Sequence, residues 1–254
     1  MNERDIIFDR KKHVLYSPEL KFLIFEKLES RYSKSEVLEK WENIQSTYFE
    51  YLKDLPYLGG PKNRHNQKGG TYDCIAMMSY YKCEKECAPL NDLKFAINEL
   101  YEMNNNLFVP DFQHMGKILN ANNPFARKIL HLAFSITSKF DKKVIDPETK
   151  KPAGYIMEVA PSQKDRVFYR FTRCPIAEFA KANGFLPIMP AFCNGDYPAL
   201  AQVHASLIRN HTCANSDSCD FLIVGDKSPL AKEHPKKEND QGYFFNGKSS
   251  ASPF

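Results

Sequence analysis

The sequence predicts an α+β fold. A single domain spans residues 1–225, its helical part (about 1–150) packed on a small, mostly antiparallel β-sheet with flanking helices (about 151–225). Three observations carry this. Apolar side chains in the first half recur every three or four residues, as on one face of a helix. Beyond residue 150 they alternate, as on strands. Beyond Asp226 the periodicity is lost among Lys, Pro, Gly and Ser, so 226–254 reads as a loosely ordered tail with Tyr243, Phe244 and Phe245 free to dock. At 254 residues and 43% hydrophobic, the chain is long enough to bury its own core.

In order along the chain, LKFLIFEKL (residues 20–28) reads as a first helix. Val37, Leu38, Trp41, Ile44, Tyr48, Tyr51, Leu52 and Leu55 mark a second, with Ser33 and Glu36 as a capping box before it. Further helices are expected over 72–83, 91–103 and 124–139, the last opening on Pro124 at a first helical position. Between the second and third helices the stretch YLGGPKNRHNQKGGTYD is rich in glycine and cations, and is expected as a surface loop or lid. Tyr155, Met157 and Val159, then Val167, Tyr169 and Phe171, alternate as two strand faces. PIAEFAKANG reads as a short helix ending at Gly184, residues 185–191 as a strand, YPALAQVHASLI as a helix and CDFLIVGD as a final strand.

Charge excludes some functions. Thirty-five Lys and Arg against 31 Asp and Glu leave a net charge of only +4, scattered along the chain, so no nucleic-acid partner is expected. The N-terminus MNERDIIFDRKKHVLY is charged from its third residue and lacks an apolar signal core, and the longest apolar runs fall far short of the roughly 20 residues of a membrane helix. A cytoplasmic protein with no membrane partner is therefore expected, its seven cysteines held as reduced thiols or metal ligands.

The chemistry-bearing residues gather late. RCP at 173–175, LPIMPAFCNGD at 186–196 and RNHTCANSDSCDF at 209–221 bring arginines, cysteines and acids together within about fifty residues. This pattern resembles the L-2-amino-thiazoline-4-carboxylic acid hydrolase family through Arg173, Cys174, Cys193, Asp196, Arg209, Thr212, Cys219, Asp220 and Phe221. The resemblance covers roughly 55–225. A glycine expected before Cys-Asp-Phe is replaced by Ala-Asn-Ser-Asp-Ser, where Asn215 would supply a left-handed turn. The resemblance implies hydrolysis of a small cyclic amidine: water adds at the ring carbon between sulfur and nitrogen, the ring opens, and an N-carbamoyl amino acid results.

Read from the residues themselves, Cys193 is a candidate nucleophile, expected where a strand meets the N-terminus of a helix that would lower its pKa. Its bland alternative is a small buried hydrophobe. Asp196 is either a general acid–base or the cap of that helix. His204, expected on the helix, is a candidate proton shuttle. Arg209 and Arg173 are candidates to hold a substrate carboxylate, and Arg64, His65 and Asn66 belong to the loop that would bring an anion to the next helix N-terminus. Thr212 and Asp220 read as turn residues or site residues. Cys174, Cys193 and Cys219, with His204 or His211, offer four donors for zinc, but their spacing matches no tight zinc signature, so no metal or other cofactor is expected. The runner-up function is a small-molecule sensor, with 19 Phe and 13 Tyr available to line its pocket and zinc to brace it. Cys74, Cys83 and Cys87 read as structural.

Overall fold

The computed structural model describes residues 17–246, apart from 54, 56, 57, 59–62, 67 and 147, and only the backbone of Arg64. Gly59, Gly60 and the Arg64 side chain, which belong to the expected lid, thus lie outside the described residues, as does the tail beyond 246. The architecture is α+β. Helices α1 (Pro18–Glu29), α2 (Lys34–Lys53), α3 (Thr71–Glu84), α4 (Leu93–Gly116) and α5 (Pro124–Asp141) precede strands β1 (Ile156–Val159) and β2 (Arg166–Arg173). Helices α6 (Pro175–Ala182), α7 (Pro190–Cys193) and α8 (Asp196–Gln202), strands β3 (Ala205–Ile208) and β4 (Cys219–Gly225), helix α9 (Pro229–Glu233) and the short strands β5 (Lys237–Glu238) and β6 (Phe244–Phe245) complete it.

Local sequence explains the helix starts. Ser17 Oγ accepts from the Leu20 amide, Asp92 caps α4 through the Phe95 amide, and Asn123 caps α5 ahead of Pro124. Glu36 accepts from both the backbone N–H and the hydroxyl of Ser33 before α2. Helix α4 runs thirteen residues past the expected end at 103, through Pro110 to Gly116. Its packing against α7 and α8 holds it together where propensity alone would stop it.

The sheet order is β1-β2-β4-β3, antiparallel throughout, with Tyr169 opposite Phe221 and Phe171 opposite Cys219. One face carries Val167, Tyr169, Cys219, Phe221 and Ile223 toward α5 and α8. The other buries Phe168, Ile208, Leu222 and Val224 under Leu230 and Ala231 of α9. The main core lies in the helical layer, from Leu20 and Ile24 through Tyr48 and Met77 to Leu100 and Ile188. Charged groups buried there are paired: Tyr80 donates to Glu99, which also takes Arg31, and Glu84 accepts from Tyr32 at 2.7 Å and Lys40 at 2.8 Å.

Two sequence expectations fail here. Residues 185–191 form no strand: Leu186–Ile188 is a 3₁₀ turn and α7 follows, each with a proline, Pro187 and Pro190, in its first turn. The expected helix through 197–208 stops at Gln202, and His204 takes a left-handed φ of 54° in the turn into β3. The tail also carries structure as far as Asn246. Tyr243 is buried, β5 and β6 pair, and Asn194 ties the segment down by donating to Gly242 O and accepting from the Phe244 amide, both at 2.8 Å.

Candidate active site

A cavity of about 420 Å³ lies between the helical layer and the sheet, within the size range of small-molecule sites. Its floor comes from residues 192–196, where α7 ends and α8 begins. Cys193 is the last residue of α7, and Asp196 the first of α8. Gly195 between them is there for space. A Cβ on it would lie 2.8 Å from Asn104 Nδ2, although its φ of −59° suits any residue.

Arg209 organises this floor. It is 1% exposed and follows β3, where its backbone N–H donates to Asn246 Oδ1 at 3.2 Å. Its Nη1 donates to Asp196 Oδ2 at 2.8 Å and lies 3.8 Å from Cys219 Sγ, and Nη2 donates to the Cys193 carbonyl at 2.5 Å. The guanidinium carbon stands 5.1 Å from the Tyr197 ring centroid and 5.3 Å from that of Phe221. Nε alone is buried without a hydrogen-bond partner. Burial works against the charge, but Cys219, Asp196, Tyr197 and Cys193 more than offset it and raise the arginine's pKa.

The thiols are not activated. Burial pushes Cys193 up to about 12; the charge of Arg209 opposes this and the neighbouring Cys174 adds to it. Cys174 and Cys213 are likewise raised to about 12 by burial, and Cys74 and Cys219 stand well above the ordinary value. All five line the cavity. The expected thiolate at a helix N-terminus is therefore replaced by a neutral thiol at the end of a four-residue helix, because desolvation outweighs the one nearby cation. Asp196 is raised by burial and pulled back by Arg209. It does not cap α8, whose N-cap is Gly195 with no side-chain bond; its Oδ2 takes Arg209 instead.

A second polar group faces the same cavity. His65 Nε2 lies 3.0 and 3.1 Å from the two oxygens of Asp141, which is buried on α5. The imidazole stacks on Tyr155 with centroids 4.3 Å apart, and the Tyr155 hydroxyl is 3.2 Å from Thr71 Oγ1.

The remaining candidates fall outside. Arg173 is held by Glu178 through two 2.9 Å bonds and by the Pro152 carbonyl. Asn66 donates to Leu58 O and serves the loop. His204 faces Asp226 at 3.6 Å on the surface, because the turn that replaces the expected helix carries it away. The N-terminus of α3 is not free for an anion, since Asp73 already accepts from the amides of Gly69 and Ser17. Asp220, on the face of β4 opposite Cys219, braces the 210–211 backbone. Asn215 does not adopt a left-handed conformation; its side chain instead accepts from Thr212 N at 2.9 Å and so shapes the turn. Among the described residues no group of three or more His, Cys, Asp or Glu is placed to hold a metal ion, and no helix is long and apolar enough to cross a membrane. Cys74, read as structural, and Asn104 line the cavity with no local signal in the sequence, and Cys213, beside Thr212 in the 209–221 stretch, joins them.

Of the nine positions that carry the sequence pattern, all but Arg173 and Asp220 line this one cavity. A family model described as L-2-amino-thiazoline-4-carboxylic acid hydrolase matches residues 93–223, just over half of the chain. The chain belongs to that family. The match runs from the first residue of α4 into β4, and so spans Asn104, the 192–196 floor and Arg209. No curated protein and no solved structure matches the chain.

Proposed function

We propose that the protein is a hydrolase that opens a small cyclic amidine, a 2-amino-thiazoline or close relative, to a carbamoyl product. The observation that carries this reading is the bonding of Arg209 to Asp196 and to the Cys193 carbonyl, beside Cys219, at the floor of the cavity. An amidinium is a planar cation with paired N–H donors, and Asp196 is the one carboxylate among the described cavity residues to receive it.

In this reading Cys193 Sγ adds to the ring carbon between sulfur and nitrogen. The carbon–sulfur ring bond breaks, its electron pair goes to the ring sulfur, and the proton that leaves Cys193 ends on that sulfur as the new thiol. Water then adds to the same carbon and the Cys193 sulfur departs as a thiol, leaving the carbamoyl group. One water is consumed per ring. Because Cys193 starts neutral, a proton carrier is required, and Asp196 with its raised pKa is suited to it. Arg209, already committed to protein partners, acts by positioning Asp196 and by its charge.

The test is thiol release from L-2-amino-thiazoline-4-carboxylate by the full chain, against Cys193→Ala with its fold checked by circular dichroism. One new sulfhydryl per ring opened by the wild type, and none by the variant, is expected. A folded wild type that releases nothing, or a variant that keeps the wild-type rate, overturns the reading.

A further inference from the structure

The cavity is larger and more apolar than the ring just described requires. An apolar cavity of ~150 Å³ accommodates a benzene ring, and this one encloses about 420 Å³. Its extra length has a direction. Asn104, Phe108, Phe112 and Met115 of α4 all line it, at the spacing of one helical stripe. Asn104 stands at the Gly195 turn. Met115, eleven residues on, is ~16 Å farther along the axis at 1.5 Å per residue. The far end of α4 is fixed by close packing, for a Cβ on Gly116 would meet the Gln202 carbonyl at the end of α8.

The aromatic character grows along that direction. Phe108 and Phe112 lie with centroids 5.0 Å apart, and across from them Phe134 of α5 meets Tyr169 at 4.3 Å, itself stacked on Phe221 at 4.6 Å. Ala96, Leu100, Met103 and Leu107 of α4 enter the main core; Phe108 and Phe112 stay half-buried and Met115 is 38% exposed, and all three line the cavity.

We infer that the substrate is amphipathic, with its polar ring at Cys193–Asp196 and an aromatic or alkyl substituent of about six carbons or more lying along Phe108, Phe112 and Met115 opposite Phe134 and Tyr169. This rests on the ring-opening reading for the polar head only. The apolar stripe sets specificity: each methylene buried against it is worth about fourfold in affinity, and a phenyl group about a hundredfold.

The experiment compares 2-amino-thiazolines bearing a methyl or a benzyl substituent, by calorimetric binding and by thiol release, with the full chain and with Phe112→Ala, Phe108→Ala and Phe112→Leu. The benzyl compound is expected to bind about a hundredfold more tightly than the methyl compound. Either alanine variant should cut that ratio about tenfold, and Phe112→Leu should keep most of it. Equal affinities for the two compounds, or a ratio untouched by both alanine variants, overturns the inference. Tight benzyl binding with no thiol release supports the apolar subsite while sinking hydrolysis, and release from the methyl compound with no benzyl advantage does the reverse.

Discussion

Replacing Arg209 by Met tests whether the floor of the cavity is held by charge pairing. The guanidinium is 1% exposed, whereas the side chain of its partner Asp196 is 30% exposed, toward the cavity. Removing one partner of a fully buried pair costs about 3–5 kcal/mol, and of a surface pair under about 1. The partial exposure of Asp196 places Arg209→Met at the lower edge of the buried range, about 3 kcal/mol, including the lost bond to the Cys193 carbonyl. For a chain of this length that lowers the Tm by about 6–12 °C. Asp196→Leu alone strands the buried guanidinium and should cost a similar amount. The double variant leaves no charge stranded and should recover about half of the summed loss, a coupling of about 2–3 kcal/mol in a double-mutant cycle read by thermal and urea melts. Single variants within about 0.5 kcal/mol of wild type, or strictly additive losses, would refute the account of Arg209 as the organising charge.

Three further predictions concern the same floor. With its pKa pushed up to about 12, Cys193 has ~10⁻⁴ of its population as thiolate at pH 8, so iodoacetamide should label it orders of magnitude more slowly than a free thiol, as followed by peptide mass spectrometry. The linkage sign is fixed by the same burial: the folded state keeps protons on Cys174, Cys193 and Cys213 that the unfolded chain gives up above about pH 8.5, so stability should fall from there toward pH 12. Labelling with a midpoint at or below pH 8.5 contradicts this. Gly195→Ala presses a methyl onto Asn104 without backbone strain and should cost about 1–3 kcal/mol together with most of the thiol-release activity. An active Gly195→Ala enzyme would show that the turn has room to spare.

Elements such as α2 and β2 are legible in the sequence because their apolar residues keep a period. Val37, Trp41, Ile44 and Tyr48 repeat because α2 has one wet face, and Val167 and Tyr169 alternate because β2 has two different neighbours. The stretch LPIMPAF is buried nearly all round, and a short apolar run of that kind carries no period by which to choose strand or helix. Its prolines were the better signal. The site was legible where sequence neighbours are also spatial neighbours, at Cys193 and Asp196. His65 and Asp141 are 76 positions apart, and Asn104 meets Gly195 across 91; such pairs meet only through tertiary packing, as of α4 on α7 and α8 and of α5 on the sheet. Cys174, Cys193 and Cys219 do reach the same cavity, as free thiols around an open space.

Asn246 lies well past residue 223, where the family match stops, yet its Oδ1 accepts from Arg209 N and from the Tyr197 hydroxyl, and its Nδ2 donates to His234 O. The recognisable part of the sequence therefore leans on a strut from beyond its own border. A chain cut at 223 would keep every residue of the pattern and lose the clasp behind its central arginine.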